Sequence, residues 1–212
     1  APVRPGGALD KGNLWHEVME AWYKALMAKP GDIVNALEAV GTVLDSFKDR
    51  GVEPELIQLI AWMHEGYVQT YGTDDDWEIL AVEHMMQQPL RLPGGEPSGF
   101  ILKAKIDIVV RNKRTGLISV VDHKSGGNLP TDKDLEFEDQ FALYELLLNR
   151  AGVKVFNTIH SAARTRMNKG DLIPPGHPDH KSTMKAQTLE DRFLRSYMKR
   201  TPNELLMVER ET

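Results

Sequence analysis

The chain has 212 residues, of which 41% are hydrophobic and 27% are charged, and its formal net charge is −5. This composition excludes a fibrous or largely disordered protein, and no apolar run approaches the ~20 residues that span a bilayer, so we expect a soluble globular protein with no membrane contact. The sequence contains no cysteine, which excludes disulfides, thiolate zinc sites, cysteine nucleophiles and iron–sulfur clusters and leaves oxygen or imidazole ligands for any metal.

The first seven residues, Ala-Pro-Val-Arg-Pro-Gly-Gly, lack the apolar segment of a secretory signal. We therefore expect an intracellular, cytoplasmic protein. The missing initiator Met is consistent with processing, with a fragment boundary or with a missing first segment.

Three helices are predicted before any strand. Apolar residues recur at helical spacing over residues 13–26, and the segment that ends at Asp32 breaks this helix and supplies an N-cap for the next one. The second helix is expected to stop at Gly51. Pro54 suits the first turn of the third helix, which is expected to run to Gly72.

The spacing of the apolar residues then changes from helical to extended. Residues 77–86 are predicted to be extended, and a Pro/Gly-rich turn follows over residues 89–99. Residues 100–110 alternate as a strand does, and a short loop indicates that residues 117–124 return antiparallel as a hairpin partner.

The last third of the chain is predicted to begin with a helix over residues 136–150 and a strand over residues 153–163. A loop over residues 173–180 then leads to a predicted final helix from about 189 to 199.

Charge is concentrated near the C-terminus, where residues 150–200 hold eleven lysines and arginines against four acids. The negative charge of the whole chain argues weakly against a polyanionic partner, since phosphate neutralisation supplies most non-specific nucleic-acid affinity. A solvated surface and a phosphate-binding face are equally compatible with this basic segment.

Asp122 and Lys124 are predicted to project from the same face of a strand, while His123 points away. A carboxylate can hold a hard cation, and an ammonium group can orient water and stabilise charge that develops on a phosphate. Asp107 has the same phase in the preceding strand, so a hairpin would bring both aspartates to one ion. The alternative is an ordinary ion pair at a strand end, although an acid within an apolar strand needs a reason for its burial.

Five short motifs follow one another along the chain. They are Gly12-Asn13-Leu14-Trp15-His16, Ala81-Val82-Glu83, Ile106-Asp107, Asp122-His123-Lys124 and Gln140-Phe141-Ala142-Leu143-Tyr144, with Arg164-Thr165-Arg166 after them. In order and residue type they resemble the motifs of the RecB-like branch of the PD-(D/E)XK nuclease superfamily. One departure is Ala104, three residues before Asp107, where the family often has glycine.

The resemblance implies an α/β fold, in which a mixed central β-sheet flanked by helices forms a restriction-endonuclease-like core with an N-terminal helical lobe. We expect a single nuclease domain over residues 1–212. It would comprise a helical lobe over 1–72, a catalytic core over 73–170 and a C-terminal loop with a basic helix over 171–212.

The resemblance also implies a role for each matching residue. Glu83, Asp107 and Asp122 would bind Mg²⁺ or Mn²⁺ as two ions, with His16 and the backbone carbonyl of His123 as further ligands. Lys124 would position the attacking water. The side chains expected to support the site or bind DNA are those of Gln140, Tyr144, Arg164, Arg166 and Lys169.

Several of these roles have plain alternatives. His16 and Tyr144 could simply contribute to helix packing, and Glu78 competes with Glu83 on the same strand. The phase of Glu83 with Ile79 and Ala81 favours Glu83, but a shift in register would exchange the two glutamates.

The function implied is a Mg²⁺- or Mn²⁺-dependent DNA exonuclease that acts at DNA ends in recombination or repair. The resemblance is to a compact, stand-alone, phage-type enzyme without an iron–sulfur cluster, although an excised nuclease domain fits as well. A homo-oligomer or a recombination partner protein is compatible with the sequence. The alternatives are a structure-specific or site-specific endonuclease of the same fold and a catalytically silent nucleic-acid-binding module.

Overall fold

The protein is described by a computed structural model, which covers residues 8–91, 96–131, 134–135, 139–166 and 188–200, with residues 8–10, 90–91, 97 and 139 described by their backbone alone. The chain forms two compact units. The helical unit consists of Ala1–Asp74, His123–Leu129 and Ser161–Arg195, and the sheet unit of Asp75–Asp122, Pro130–His160 and Ser196–Thr212.

The three predicted N-terminal helices are confirmed as α1 (Ala8–Ala28), α2 (Ile33–Asp49) and α3 (Pro54–Tyr71). The Asp32 side chain caps α2 by accepting a hydrogen bond of 3.0 Å from the backbone N–H of Asn35. Pro54 occupies the first turn of α3, where its missing N–H costs no helical hydrogen bond.

Large aromatic side chains form the interior of the helical unit. Trp15, Trp22 and Tyr23 of α1 are fully buried, as are Phe47 of α2 and Tyr67 of α3. The rings of Trp15 and Tyr67 meet edge to face with their centroids 5.9 Å apart, a favoured geometry for aromatic pairs.

A buried polar network joins α1, α3 and the segment that ends at Arg195. The Arg195 guanidinium donates to both carboxylate oxygens of Asp74, at 2.6 and 2.8 Å, and to the Tyr67 hydroxyl at 2.5 Å. The Tyr23 hydroxyl donates to Asp74 at 2.5 Å. Burial and the neighbouring Tyr67 and Asp74 raise the pKa of Tyr23 well above its ordinary value, so this phenol stays protonated.

A mixed five-stranded sheet follows, which confirms the predicted α/β fold class. In spatial order its strands are β1 (Trp77–Arg91), β2 (Pro97–Asn112), β3 (Ile118–Gly126), β4 (Val155–Arg164) and β5 (Phe193–Met198). Helix α4 (Asp139–Arg150) connects β3 to β4. The strands β3, β4 and β5 each contribute residues to both units.

Antiparallel pairing sets the register of the first three strands. β1 pairs with β2 from Trp77 opposite Asn112 onward, with a register shift between Ile79 and Ala81. β2 pairs with β3 as the predicted hairpin, with Ile108 opposite Val121. In the sheet unit, the apolar face of α4 packs on these strands through Phe141, Leu147 and Leu148.

The predicted final helix over residues 189–199 is wrong, because residues 193–198 form β5. Phe193 is buried while Tyr197 is 63% exposed. Pairing with a neighbouring strand satisfies the backbone hydrogen bonds and outweighs a weak helical pattern in so short a segment. The predicted loop over residues 173–180 lies outside the described residues. None of the helices within the described ranges is both long and apolar enough to cross a membrane.

Candidate active site

Strand pairing brings Glu83 and Asp107 together at the centre of the β1–β2 pair. The neighbouring pairs are Val82 with Ile108 and His84 with Ile106, so Glu83 and Asp107 lie opposite one another. A carboxylate oxygen of Glu83 lies within 4.8 Å of one of Asp107. Both side chains are buried in the sheet unit, with exposed fractions of 7% for the Glu83 side chain and 8% for Asp107.

The β2–β3 register adds Asp122 to the same row. The paired segment of β2 and β3 ends with Ile108 opposite Val121, and Asp107 and Asp122 are the next residues of the two strands in that register. Asp122 is 1% exposed. Three carboxylates, from β1, β2 and β3, therefore form one row across the sheet.

The backbone of β1 is irregular at its acidic residue. Glu83 has a φ of +52°, a left-handed conformation that is uncommon for a residue other than glycine. The register shift between Ile79 and Ala81 interrupts the alternation from which Glu83 was preferred over Glu78. Glu83 is nevertheless the buried glutamate, whereas Glu78 is half-exposed and pairs with Arg111 at 2.8 Å.

Lys105, which none of the sequence motifs singles out, forms an ion pair with Glu83. Its side chain is 55% exposed, so the ammonium group lies at the solvent-facing edge of the carboxylate row. Lys105 precedes Asp107 by two residues in β2, which is the spacing at which side chains share a face of a strand. That spacing, the same as in Asp122-His123-Lys124, was the available signal.

Helix α4 places Tyr144 beside the carboxylate row. Burial raises the pKa of Tyr144, and the negative charges of Asp122, Asp107 and Glu83 raise it further, so the phenol stays protonated. Gln140, one helical turn earlier, donates a hydrogen bond from its amide to the Tyr144 hydroxyl oxygen. Since that oxygen accepts from Gln140, its own hydrogen is directed elsewhere and can be donated.

The other predicted site residues belong to the helical unit. His16 lies half-buried on α1, and His123 is 1% exposed and packs its ring 5.4 Å from that of Tyr23. Lys124 follows Asp122 by two residues within β3, so alternation directs both side chains to the same side of that strand. The expected metal-binding and water-positioning roles of these residues stay predictions.

The basic residues predicted to bind DNA fall into different environments. The Arg164 side chain donates to the Gly127 carbonyl at 3.2 Å, whereas Arg166 is exposed, and both belong to the helical unit. Lys169 lies outside the described residues. Two other arginines of the basic segment are buried: the Arg192 guanidinium stacks 3.5 Å above the ring of Trp62, and Arg195 holds Asp74.

The carboxylate row has the donor chemistry that a hard divalent cation requires. Mg²⁺ and Mn²⁺ prefer carboxylate oxygens, and Mg²⁺ is commonly held by one or two carboxylates together with water and substrate phosphate. Three buried carboxylates on neighbouring strands repel one another unless a cation or a proton is shared among them. Glu83, Asp107 and Asp122 therefore fit a divalent metal site.

Comparison with a model of a protein family supports the same class. Among solved structures, the chain is similar to one described as "Crystal structure of SSO0001", with 17% sequence identity and a TM-score of 0.38, covering 95% of this chain and 69% of that chain. No curated protein matched the chain. The family model of the PD-(D/E)XK nuclease superfamily matches residues 2–205. The chain therefore belongs to the PD-(D/E)XK nuclease superfamily.

Proposed function

We propose that this protein is a Mg²⁺- or Mn²⁺-dependent DNA exonuclease that hydrolyses phosphodiester bonds at DNA ends in recombination or repair. The observation that carries the proposal is the row formed by Glu83, Asp107 and Asp122 across three neighbouring strands, in which the carboxylate oxygens of Glu83 and Asp107 lie within 4.8 Å of one another. A protein that only binds nucleic acid has no use for this row, because buried carboxylates repel phosphate when no metal is held between them.

The three carboxylates would hold the metal and leave its outer side open to a phosphate group. Bound there, a divalent cation supplies Lewis-acid polarisation of the phosphate and lowers the pKa of a coordinated water. The lysine of the Asp122-His123-Lys124 motif would orient the attacking water and stabilise negative charge on the phosphate oxygens. Strand alternation, which directs Lys124 to the same side of β3 as Asp122, supports this role.

Tyr144 and Lys105 would act on the substrate from the edge of the row. The protonated Tyr144 hydroxyl, held in place by Gln140, can donate to a phosphate oxygen but cannot act as a base near neutral pH. Lys105, whose ammonium group pairs with Glu83 and is half-exposed, can offer a positive charge to the incoming phosphate. Both groups would favour an anionic substrate at a site that is itself acidic.

The test uses end-labelled linear DNA and covalently closed circular DNA, each incubated with Mg²⁺, with Mn²⁺ and with EDTA. We expect metal-dependent shortening of the linear DNA and an intact circle. Cleavage of the closed circle would replace the exonuclease with an endonuclease of the same fold. Absence of any metal-dependent cleavage would contradict the proposal.

A matched pair of variants tests the assigned chemistry. Lys124→Ala is expected to abolish cleavage while folding and DNA binding stay near wild type, because the lysine acts on the reacting groups. Lys113→Ala, which removes a lysine from the β2–β3 loop, is the control and is expected to cleave like the wild type. Unchanged cleavage by Lys124→Ala would remove this lysine from the mechanism.

A further inference from the structure

A second cleft lies in the sheet unit, apart from the carboxylate row. It has a volume of about 980 Å³ and is formed by the start of β3, the end of α4 and the start of β4. Ile118 lines it, four residues before Asp122 on the same strand. At ~3.3 Å per residue, the cleft begins about 13 Å from the carboxylate row.

The cleft is basic although the chain as a whole is acidic. Lys154, Lys199 and Arg200 line it, and Glu145 is the carboxylate among its described lining residues. The chain carries a formal net charge of −5, so this local excess of cations is not a general property of the sequence. The positive charge of the cleft favours an anionic ligand.

The cleft also offers apolar surface to its ligand. Phe156 and Leu117 line it with 41% and 39% of their surfaces exposed. The ammonium group of Lys199 lies over the Phe156 ring, 4.5 Å from its centre, so a cation and an aromatic ring are in contact within the cleft. A ligand that satisfies both must combine negative charge with flat apolar groups.

We propose that this cleft binds a single-stranded segment of DNA that continues from the active site, with phosphates at Lys154, Lys199 and Arg200 and a base against Phe156. Unpaired bases present their faces for stacking, whereas a duplex buries those faces and offers its phosphates. This inference rests on the proposed function. The ~13 Å between cleft and carboxylates is a distance that a few nucleotides of single strand can span.

Binding is tested without cleavage, so that its outcome does not depend on the proposed function. The probe is a fluorescein-labelled oligothymidylate of about 12 nucleotides, within the ~4–16 that single-strand grooves occupy, and its anisotropy is measured in EDTA. The Lys154→Glu/Lys199→Glu variant is expected to bind at least about tenfold more weakly. Loss of two phosphate contacts should lower the slope of log affinity against log salt by about 1.4.

The matched control is Lys24→Glu/Lys48→Glu, which makes the same change of charge on exposed lysines of α1 and α2. It is expected to bind like the wild type. Phe156→Ala should weaken binding at least about fivefold through lost stacking, and Phe156→Leu should recover part of it. Circular dichroism and thermal unfolding identify any variant that fails to fold. In that case the inference is tested by the affinity of Phe156→Leu and by the slope of log affinity against log salt for the wild type.

Equal loss of affinity in the cleft and control variants would mean that net charge alone controls binding, and would overturn the inference. Equal affinity of the cleft variants and the wild type would overturn it as well and leave the cleft to a protein partner. Cleavage separates the two proposals. If the wild type degrades DNA but the cleft variant degrades long single strands equally well, the inference fails and the proposed function stands.

Discussion

Removal of the central charge from the carboxylate row should stabilise the metal-free protein. Asp107 lies between Glu83 and Asp122, so Asp107→Asn removes the charge that interacts with both neighbours while the shape of the side chain is kept. Most substitutions at buried positions destabilise a protein. A stabilising effect here would therefore be a specific consequence of the crowded charges.

The size of the effect follows from the spacing of the carboxylates. The Glu83 and Asp107 oxygens lie within 4.8 Å of one another, and two unit charges at that upper limit repel by about 3 kcal/mol at an effective dielectric constant of ~20. Lys105 offsets part of this repulsion from the edge of the row, so a gain of about 1–3 kcal/mol is expected. For a chain of this size, each kcal/mol shifts the melting temperature by roughly 2–4 °C.

The assay is thermal unfolding in EDTA and in increasing Mg²⁺ or Mn²⁺. In EDTA, Asp107→Asn should melt several degrees above the wild type. Added metal should raise the melting temperature of the wild type, because a ligand that binds only the folded state stabilises it, and should leave the variant nearly unchanged. The melting temperatures of the wild type and of Asp107→Asn should therefore converge or exchange order as metal is added.

Glu78→Gln is the matched control. Glu78 lies on the same strand but is half-exposed and paired with Arg111, so its loss should cost at most about 1 kcal/mol and should not depend on metal. A metal-free Asp107→Asn protein that melts below the wild type, or an equal response of both proteins to metal, would refute the carboxylate row as a metal site.

Further predictions concern the helical unit. Arg195→Met should lower the free energy of unfolding by about 3–5 kcal/mol, because it leaves the buried Asp74 carboxylate without its cation. Urea titration measures this loss, and the double variant Arg195→Met/Asp74→Asn should recover part of it. A loss below about 1 kcal/mol would contradict the stabilising role of the network. Burial lowers the pKa of His64 from 6.5 to about 4. Between pH 4 and pH 6.5 the His64 imidazole is therefore protonated in the unfolded chain but neutral in the folded protein, so the free energy of unfolding should rise by up to about 3 kcal/mol across that range. His64→Phe should flatten that dependence, and an unchanged slope would assign it to other groups. Arg164→Ala/Arg166→Ala should reduce the salt dependence of DNA binding if these residues contact phosphates; an unaltered slope would leave them as part of the solvated surface.

Local chemistry in the sequence was sufficient to predict several helices and strands. Asp32 as an N-cap and Pro54 in a first turn set the starts of two helices, because these are properties of a residue and its immediate neighbours. The alternation around Asp107 and Asp122 predicted two strands, and the short loop between them predicted their antiparallel pairing. From this pairing alone, two of the three carboxylates of the row could be expected on adjacent strands.

Contacts between distant parts of the chain decided the rest. The ion pair of Lys105 with Glu83 and the irregular backbone at Glu83 depend on how β1 meets β2. The sequence does not distinguish Arg195 from the other basic residues. Folding brings it to Asp74, 121 residues away, and buries both side chains.

The sequence by itself determined the class of the protein, because the residue types, the alternation within each strand and the order of the motifs are all properties of the sequence. The tertiary structure alone decided that residues 193–198 form a strand and that Lys154, Lys199 and Phe156 line one cleft. The physical reason is that burial and charge are properties of neighbours in space. Neighbours that are far apart in the chain leave no periodic pattern in the sequence between them.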